Sequence, residues 1–104
     1  MLLHKDRFYG TIVGGTISFQ TSKFSGRELV QISVVPTSFN ATTGNKYDVT
    51  VVDEEGDPIV LYSDVTGILL RNERTALQGV YTILISGASI DEPVIVCFRT
   101  GESQ

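Results

Sequence analysis

A period-two alternation of apolar and polar residues around an acidic, glycine-bearing turn is the feature that most restricts this chain. It runs through Tyr47-Asp48-Val49-Thr50-Val51-Val52-Asp53-Glu54-Glu55-Gly56-Asp57-Pro58-Ile59-Val60-Leu61-Tyr62. Side chains on a strand point alternately to opposite faces, so Tyr47, Val49 and Val51 share one face and Asp48 and Thr50 the other. Gly56 supplies the positive φ that a tight hairpin loop needs. Pro58 cannot donate a ladder hydrogen bond, which places it at a strand start or on an edge. The stretch predicts a β-hairpin with one dry and one wet face.

Other segments repeat the pattern. Tyr9 to Phe19 reads as one strand, or two short ones, broken at Gly14-Gly15 by a turn or bulge. Leu29 to Val35 alternates with Val30, Ile32 and Val34 inward, and Pro36 closes it. Tyr81 to Ser86 puts Tyr81, Ile83 and Ile85 on one face, Gly87 to Pro93 makes a turn, and Val94 to Thr100 forms the last strand. Pro36 to Asn45 is a polar connection. It contains Asn40-Ala41-Thr42, which fits a glycosylation pattern but has no secretion signal beside it. Ser63 to Gly79 starts apolar and turns polar. Asp64 or Thr66 could cap a short helical turn, but Gly67 and Thr75 weaken a longer helix. A strand or loop followed by an exposed segment is expected there.

Short strands separated by frequent turn signals, without a long helix, predict an all-β chain. The expected fold is an antiparallel β-sandwich or small barrel of about six to eight strands. Apolar stripes at 30/32/34, 47/49/51, 81/83/85 and 94/96/98 supply roughly a dozen core side chains, each contributing about 1.5–3 kcal/mol on full burial. At 104 residues the chain holds one such core. Residues 1–104 therefore form a single domain, with 1–8 expected as a flexible N-terminal arm.

Composition removes several classes of function. A formal charge of −4 argues against non-specific binding to nucleic acid or an anionic membrane, both of which need clustered cations. Lys5 and Arg7 are the one close basic pair. Cys97 is the sole cysteine, so neither an internal disulfide nor a multi-cysteine metal site can form. Within Val94-Ile95-Val96-Cys97-Phe98 it reads as a small buried hydrophobe rather than a reactive thiol. The apolar run at Met1-Leu2-Leu3 is too short for a signal peptide, and no stretch has the length of a transmembrane helix, so synthesis in a cytoplasm is expected.

No catalytic set emerges. His4 is the single histidine and sits in the expected arm, so a histidine-based triad or histidine-rich metal site cannot assemble. Asp53, Glu54, Glu55 and Asp57 cluster as calcium ligands do, but lack the spacing of an EF-hand loop; a solvated hairpin tip is the alternative. Gly10, Gly14 and Gly15 lack the context of a nucleotide-binding loop and read as turn or bulge glycines. Phe8, Tyr9, Phe19, Phe24 and Phe39 could form an aromatic binding face, with core packing or subunit contact as the other reading. No cofactor or metal is expected, and no enzymatic activity.

The string Tyr47-Asp48-Val49-Thr50-Val51-Val52-Asp53-Glu54-Glu55-Gly56-Asp57 resembles a motif of small tailed-bacteriophage structural proteins, in which Tyr-Asp-Val/Ile-Thr leads into Asp-x-x-Gly-x-Asp-like turns. The likeness is close over 47–57 and loose over 8–100, following the order of a glycine-rich strand, a Thr/Asn-rich loop, the hairpin, a variable segment and a final pair of strands. Pro58-Ile59-Val60-Leu61-Tyr62 stands where small residues such as Leu-Gly-Gly follow the turn in that pattern. The resemblance implies a non-enzymatic virion component: a capsid decoration protein, or one associated with the neck or tail. It implies phage capsid or neck/tail partners, multiple copies or a homo-oligomer, and no nucleic-acid or membrane partner. Phe8, Tyr9, Ile68, Leu69 and Leu70, which lack a clean place in the expected core, are the candidate contact residues. A small carbohydrate- or protein-binding sandwich, or a host-directed phage factor, are the other readings.

Overall fold

The computed structural model describes residues 3–38 and 44–102, and within them the chain forms eight strands. They are β1 (Leu3–Thr11), β2 (Ile17–Gln20), β3 (Phe24–Pro36), β4 (Lys46–Val52), β5 (Pro58–Thr66), β6 (Leu69–Gly79), β7 (Thr82–Ser86) and β8 (Pro93–Glu102). The strands make two four-stranded antiparallel sheets. Sheet I has the order β1-β8-β3-β6 and sheet II the order β2-β7-β4-β5. Strand n thus pairs with strand 9 − n, and the resulting ribbon rolls up so that β8 also meets β3 and β7 meets β4. This is the strand order of a jelly roll, the form of sandwich built from two Greek keys.

The apolar stripes face each other between the sheets. Ile32, Val34, Leu69, Leu77, Val94, Val96 and Phe98 come from sheet I, and Tyr47, Val49, Val51, Val60, Ile83 and Ile85 from sheet II. The hairpin forms as its alternation predicts: Thr50 stands opposite Leu61 and Val51 opposite Val60. Gly56 has φ 86°, and Pro58 opens the edge strand β5. The Asp53 side chain builds the turn, its Oδ1 accepting from the backbone N–H of Glu55 and of Asp57, each at 2.9 Å.

Gly14 and Gly15 form a left-handed turn between β1 and β2. Both N–H groups donate to the two carboxylate oxygens of Asp91 at 2.8 Å. The Pro36 to Asn45 connection is tied at its ends to one carboxylate, Glu92. Glu92 accepts from Ser38 N at 2.6 Å, Ser38 Oγ at 2.7 Å and Asn45 Nδ2 at 2.7 Å. The Asn40-Ala41-Thr42 pattern and Phe39 lie outside the described residues.

Four expectations need correction. Residues 3–8 are not an arm: they begin β1, which pairs with β8 in an unbroken register from Leu3 opposite Gly101 to Thr11 opposite Pro93. Backbone pairing recruits this segment, and its inward positions include the polar His4 and Asp6, so it carries little apolar signal. Second, the strand of residues 29–35 changes parity. A register shift between Leu29 and Gln31 against both neighbouring strands leaves Leu29 fully buried and Val30 only partly so.

Third, the strand expected at the start of 63–79 is present, but the exposed segment expected after it is itself a strand, although most of its residues are exposed. Strand β5 continues to Thr66, Gly67 turns the chain at φ 72°, and β6 forms the other edge of sheet I. Polar residues occupy inward positions of β6 because they close the gap between edge strands β5 and β6. The Tyr62 hydroxyl donates to the Glu73 carboxylate, and the Arg71 guanidinium lies 5.9 Å from the centre of the Tyr62 ring. Fourth, Gly87 to Pro93, expected as a turn, is a crossing from sheet II to sheet I, so that β7 and β8 do not pair.

Candidate interaction surface

The period of two that fills the core also decides what faces outward. On β1 the outward residues are Leu3, Lys5, Arg7, Tyr9 and Thr11. Each stands beside a residue of β8, and Ile95, Cys97, Arg99 and Gly101 stand in turn beside outward residues of β3, so the outer face of sheet I is read as cross-strand rows. In the first row Tyr9 is opposite Ile95 and Ile95 opposite Val35. Leu69 pairs with Val34, so Ile68, one residue earlier, extends this row toward β6. In the second row Arg7 is opposite Cys97, Cys97 opposite Ser33 and Ser33 opposite Leu70. In the third, Lys5 is opposite Arg99, Arg99 opposite Gln31 and Gln31 opposite Asn72.

The first row is apolar and largely open to solvent. Tyr9 is 64% exposed, Ile68 47% and Ile95 41%, while Leu70 beside them in the second row is 54% exposed. The third row is polar and bonded across three strands. Arg99 Nη1 donates to Gln31 Oε1 at 2.6 Å and Gln31 Nε2 to Asn72 Oδ1 at 3.2 Å. Between them the Arg7 guanidinium is raised above its ordinary range, chiefly by the Tyr9 hydroxyl on the same face, with Cys97 adding to the effect.

Tyr9, Ile68 and Leu70, three of the expected contact residues, are brought onto one face from distant parts of the chain. The other two are not available. Phe8 has the opposite parity to Tyr9 and packs inward, 5.7 Å from the Phe19 ring and 6.2 Å from the Phe98 ring. Leu69 is fully buried opposite Val34. The aromatic-face reading fails in the same way for Phe19, packed against the core, and Phe24, buried beside Tyr81. Val35 and Ile95 were missed. Their signal was an apolar residue at outward parity inside an apolar run, Val34-Val35-Pro36 and Val94-Ile95-Val96, where a continuous run reads as core. Cys97 is buried as expected, yet it lies on the outward side of β8 between Arg7 and Ser33 rather than in the core cluster.

The acidic hairpin tip lies at the sheet II side of the molecule. Besides the turn contacts of Asp53, Glu54 reaches over to the β6–β7 link, its Oε1 accepting from Val80 N at 2.7 Å. An open groove of about 310 Å³ runs here, lined by Lys23, Asp53, Glu54, Glu55, Gln78, Gly79 and Tyr81. Among the described residues no three His, Cys, Asp or Glu side chains converge in the manner of a metal site. His4 Nε2 lies 3.5 Å from Glu102 Oε1 at the far end of the β1–β8 pair.

No protein-family model matches the sequence, and no curated protein matches it. Solved structures are similar in shape. One is dimeric latent PorU from Porphyromonas gingivalis, with a TM-score of 0.49 and 10% identity over 96% of this chain. This chain spans only 13% of the length of PorU. Another is PliG of Aeromonas hydrophila, a periplasmic inhibitor of g-type lysozyme, at 0.48 and 14% identity over 94% of this chain and 85% of that one. A third is the carbohydrate-binding module CBM36 in complex with calcium and xylotriose, at 0.47 and 10% identity over 96% of this chain and 99% of that one.

Proposed function

We propose that this chain is a non-enzymatic structural protein of a bacteriophage virion, and that it decorates the capsid by docking the outer face of sheet I onto its subunits. The observation that carries a docking role is the apolar row of exposed Tyr9 and Ile95 and half-buried Val35, extended by exposed Ile68 and Leu70, on a sheet whose other face carries the core. Single exposed apolar residues are ordinary; a contiguous group on one rigid face marks an interaction site. The placement in a virion rests on the resemblance of residues 47–57. The jelly-roll order is compatible with it by fold analogy alone, since capsid proteins, lectins and cupins share that architecture.

Burial of the apolar row against a neighbouring subunit would supply the affinity, and many copies on a symmetric particle would strengthen a modest single contact. The protein would be made in the host cytoplasm, act on the particle without a cofactor, and take no nucleic acid or membrane as partner. Mass spectrometry of purified virions tests the reading. It expects the chain at many copies per particle, with Tyr9→Ser/Ile95→Ser lowering occupancy; particles that lack the chain would end it, and a few copies per particle would favour the neck or tail.

The exposed Tyr9 ring favours one second reading, a carbohydrate-binding module that stacks a sugar on that ring. A glycan array separates the two. Saturable binding lost in Tyr9→Ser supports the module, whereas decoration predicts no glycan binding by the isolated domain.

A further inference from the structure

We infer that the surface docked by the outer face of sheet I is an acidic protein surface, whose carboxylates meet Lys5, Arg7 and Arg99 while its apolar residues cover the Tyr9–Ile95–Val35 row. The inference rests on the reading of this face as the contact face, and it names the chemistry of the partner.

Charge placement carries the argument. Lys5 stands directly opposite Arg99 in the β1–β8 register, and like charges directly opposite one another disfavour pairing. Arg7 follows on the same face, opposite Cys97 and diagonal to Arg99. The ion pairs among the described residues use other cations: Lys46 to Asp64 at 3.6 Å, His4 to Glu102 at 3.5 Å, and Arg74 to Glu28 at 3.4 Å, the last on the same outer face. Arg27 lies over Phe24 and Arg71 over Tyr62. Lys5, Arg7 and Arg99 take part in none of these, and Arg99 is bonded instead to the neutral amide of Gln31, which fixes its direction on the face.

This grouping occurs in a chain of net charge −4. Asp48, Asp53, Glu54, Glu55, Asp57 and Asp64 all belong to the β4–β5 hairpin of sheet II, away from the three cations. A fold optimised only to stand alone gains nothing from setting Lys5 and Arg99 side by side with no carboxylate paired to either. An acidic partner relieves the repulsion between Lys5 and Arg99 and gains from all three charges. A second copy docked face to face would set cations against cations. A nucleic acid would meet only three cations and leave the adjoining apolar row wet. A protein surface bearing carboxylates next to apolar residues satisfies both rows.

Fluorescence anisotropy on the full chain tests this with a labelled glutamate- and leucine-rich peptide as probe and a single-stranded DNA oligonucleotide as the competing class. The expected result is saturable peptide binding that weakens about tenfold between roughly 50 mM and 300 mM salt, because exposed charges are screened. Lys5→Glu/Arg99→Glu should weaken it about tenfold or more. The neutral pair Lys5→Gln/Arg99→Gln, which adds no new charge to the fold, should fall between. Absence of peptide binding, equal binding by the charge-reversed chain, or tighter binding to DNA than to peptide overturns the inference. Virions lacking the chain would end the particle reading and leave this result standing, so the two failures are distinguishable.

Discussion

The side-chain amide of Asn45 donates to the carboxylate of Glu92 at 2.7 Å, and both residues are buried. Through this contact the end of one connection and the start of β8 share a single acceptor. Ser38, at the other end of the same connection, uses it too. Asn45 also donates to Ile90 O at 2.8 Å and accepts from Ile90 N at 3.2 Å. Glu92→Ala strands the buried Asn45 donor and the half-buried Ser38 donors, at a cost of about 2–4 kcal/mol. Glu92→Gln keeps an acceptor and should cost less. Urea unfolding measures both; equal and negligible losses would show the network to be ornamental to stability.

Two glycines of similar φ should respond differently to alanine. Gly56 has φ 86° at the open hairpin tip, where an added Cβ meets no atom within 4 Å. Its substitution costs about 1 kcal/mol of backbone strain. Gly79 has φ 92°, and an added Cβ would lie 2.5 Å from Glu54 Oε1, the oxygen that accepts from Val80 N. Gly79→Ala therefore adds displacement of Glu54 and a weakened hydrogen bond, for a total of about 2–3 kcal/mol. Chemical denaturation of the two variants side by side should rank Gly79→Ala the more damaging.

Asp91→Ala removes both acceptors from the turn between β1 and β2. Gly14 N and Gly15 N then face water in a left-handed turn that Asp91 no longer holds to the crossing from β7 to β8. The loss is about 1–2 kcal/mol, since each bond is charge-assisted but exposed. Faster amide exchange confined to Gly14, Gly15 and their neighbours is the expected signature; unchanged exchange there would contradict it.

Alkaline pH should destabilise the fold through tyrosine. Tyr47 is held above its ordinary value of 10.0 by burial first, with the Glu92 charge adding to it against a lowering backbone contact from Leu69. Its hydroxyl donates to Gly67 O at 2.7 Å, which requires the neutral phenol. Tyr62 is raised as well, by burial and then by its bond to Glu73. Below the unfolded value both states are protonated and the contribution is whole. Above it the unfolded chain ionises first, so stability falls with rising pH by up to about 1.4 kcal/mol per unit for Tyr47. Unfolding midpoints taken at about pH 9 and about pH 11 should show the fall, and Tyr47→Phe should reduce it.

Much of the architecture can be read from single residues in order. Alternation at Tyr47, Val49 and Val51, at Ile83 and Ile85, and at Val94, Val96 and Phe98 identifies strands and their buried faces, because a side-chain period of two is a local property of extended backbone. Gly56, Pro58 and the Gly14-Gly15 pair mark where strands must turn for reasons of φ and missing donors. Where an apolar period is absent the reading loses the strand. Leu3 to Phe8 is held by its backbone ladder to β8, and β6 puts Arg71 and Glu73 at inward positions because Tyr62 of the other sheet needs covering.

Sequence by itself determined that this chain is built of antiparallel strands around one apolar core, since alternation and turn chemistry act within a few residues. Tertiary structure alone decided which strands meet, because period two carries no pairing information. It also set the bulge that exchanges Val30 for Leu29 in the core. Only the nesting of β1, β8, β3 and β6 brings Tyr9, Ile95, Val35 and Leu70 together on one face, and stands Lys5 opposite Arg99. Those neighbours lie up to 94 residues apart in the chain, as Lys5 and Arg99 show, and long-range hydrogen-bond register is what joins them.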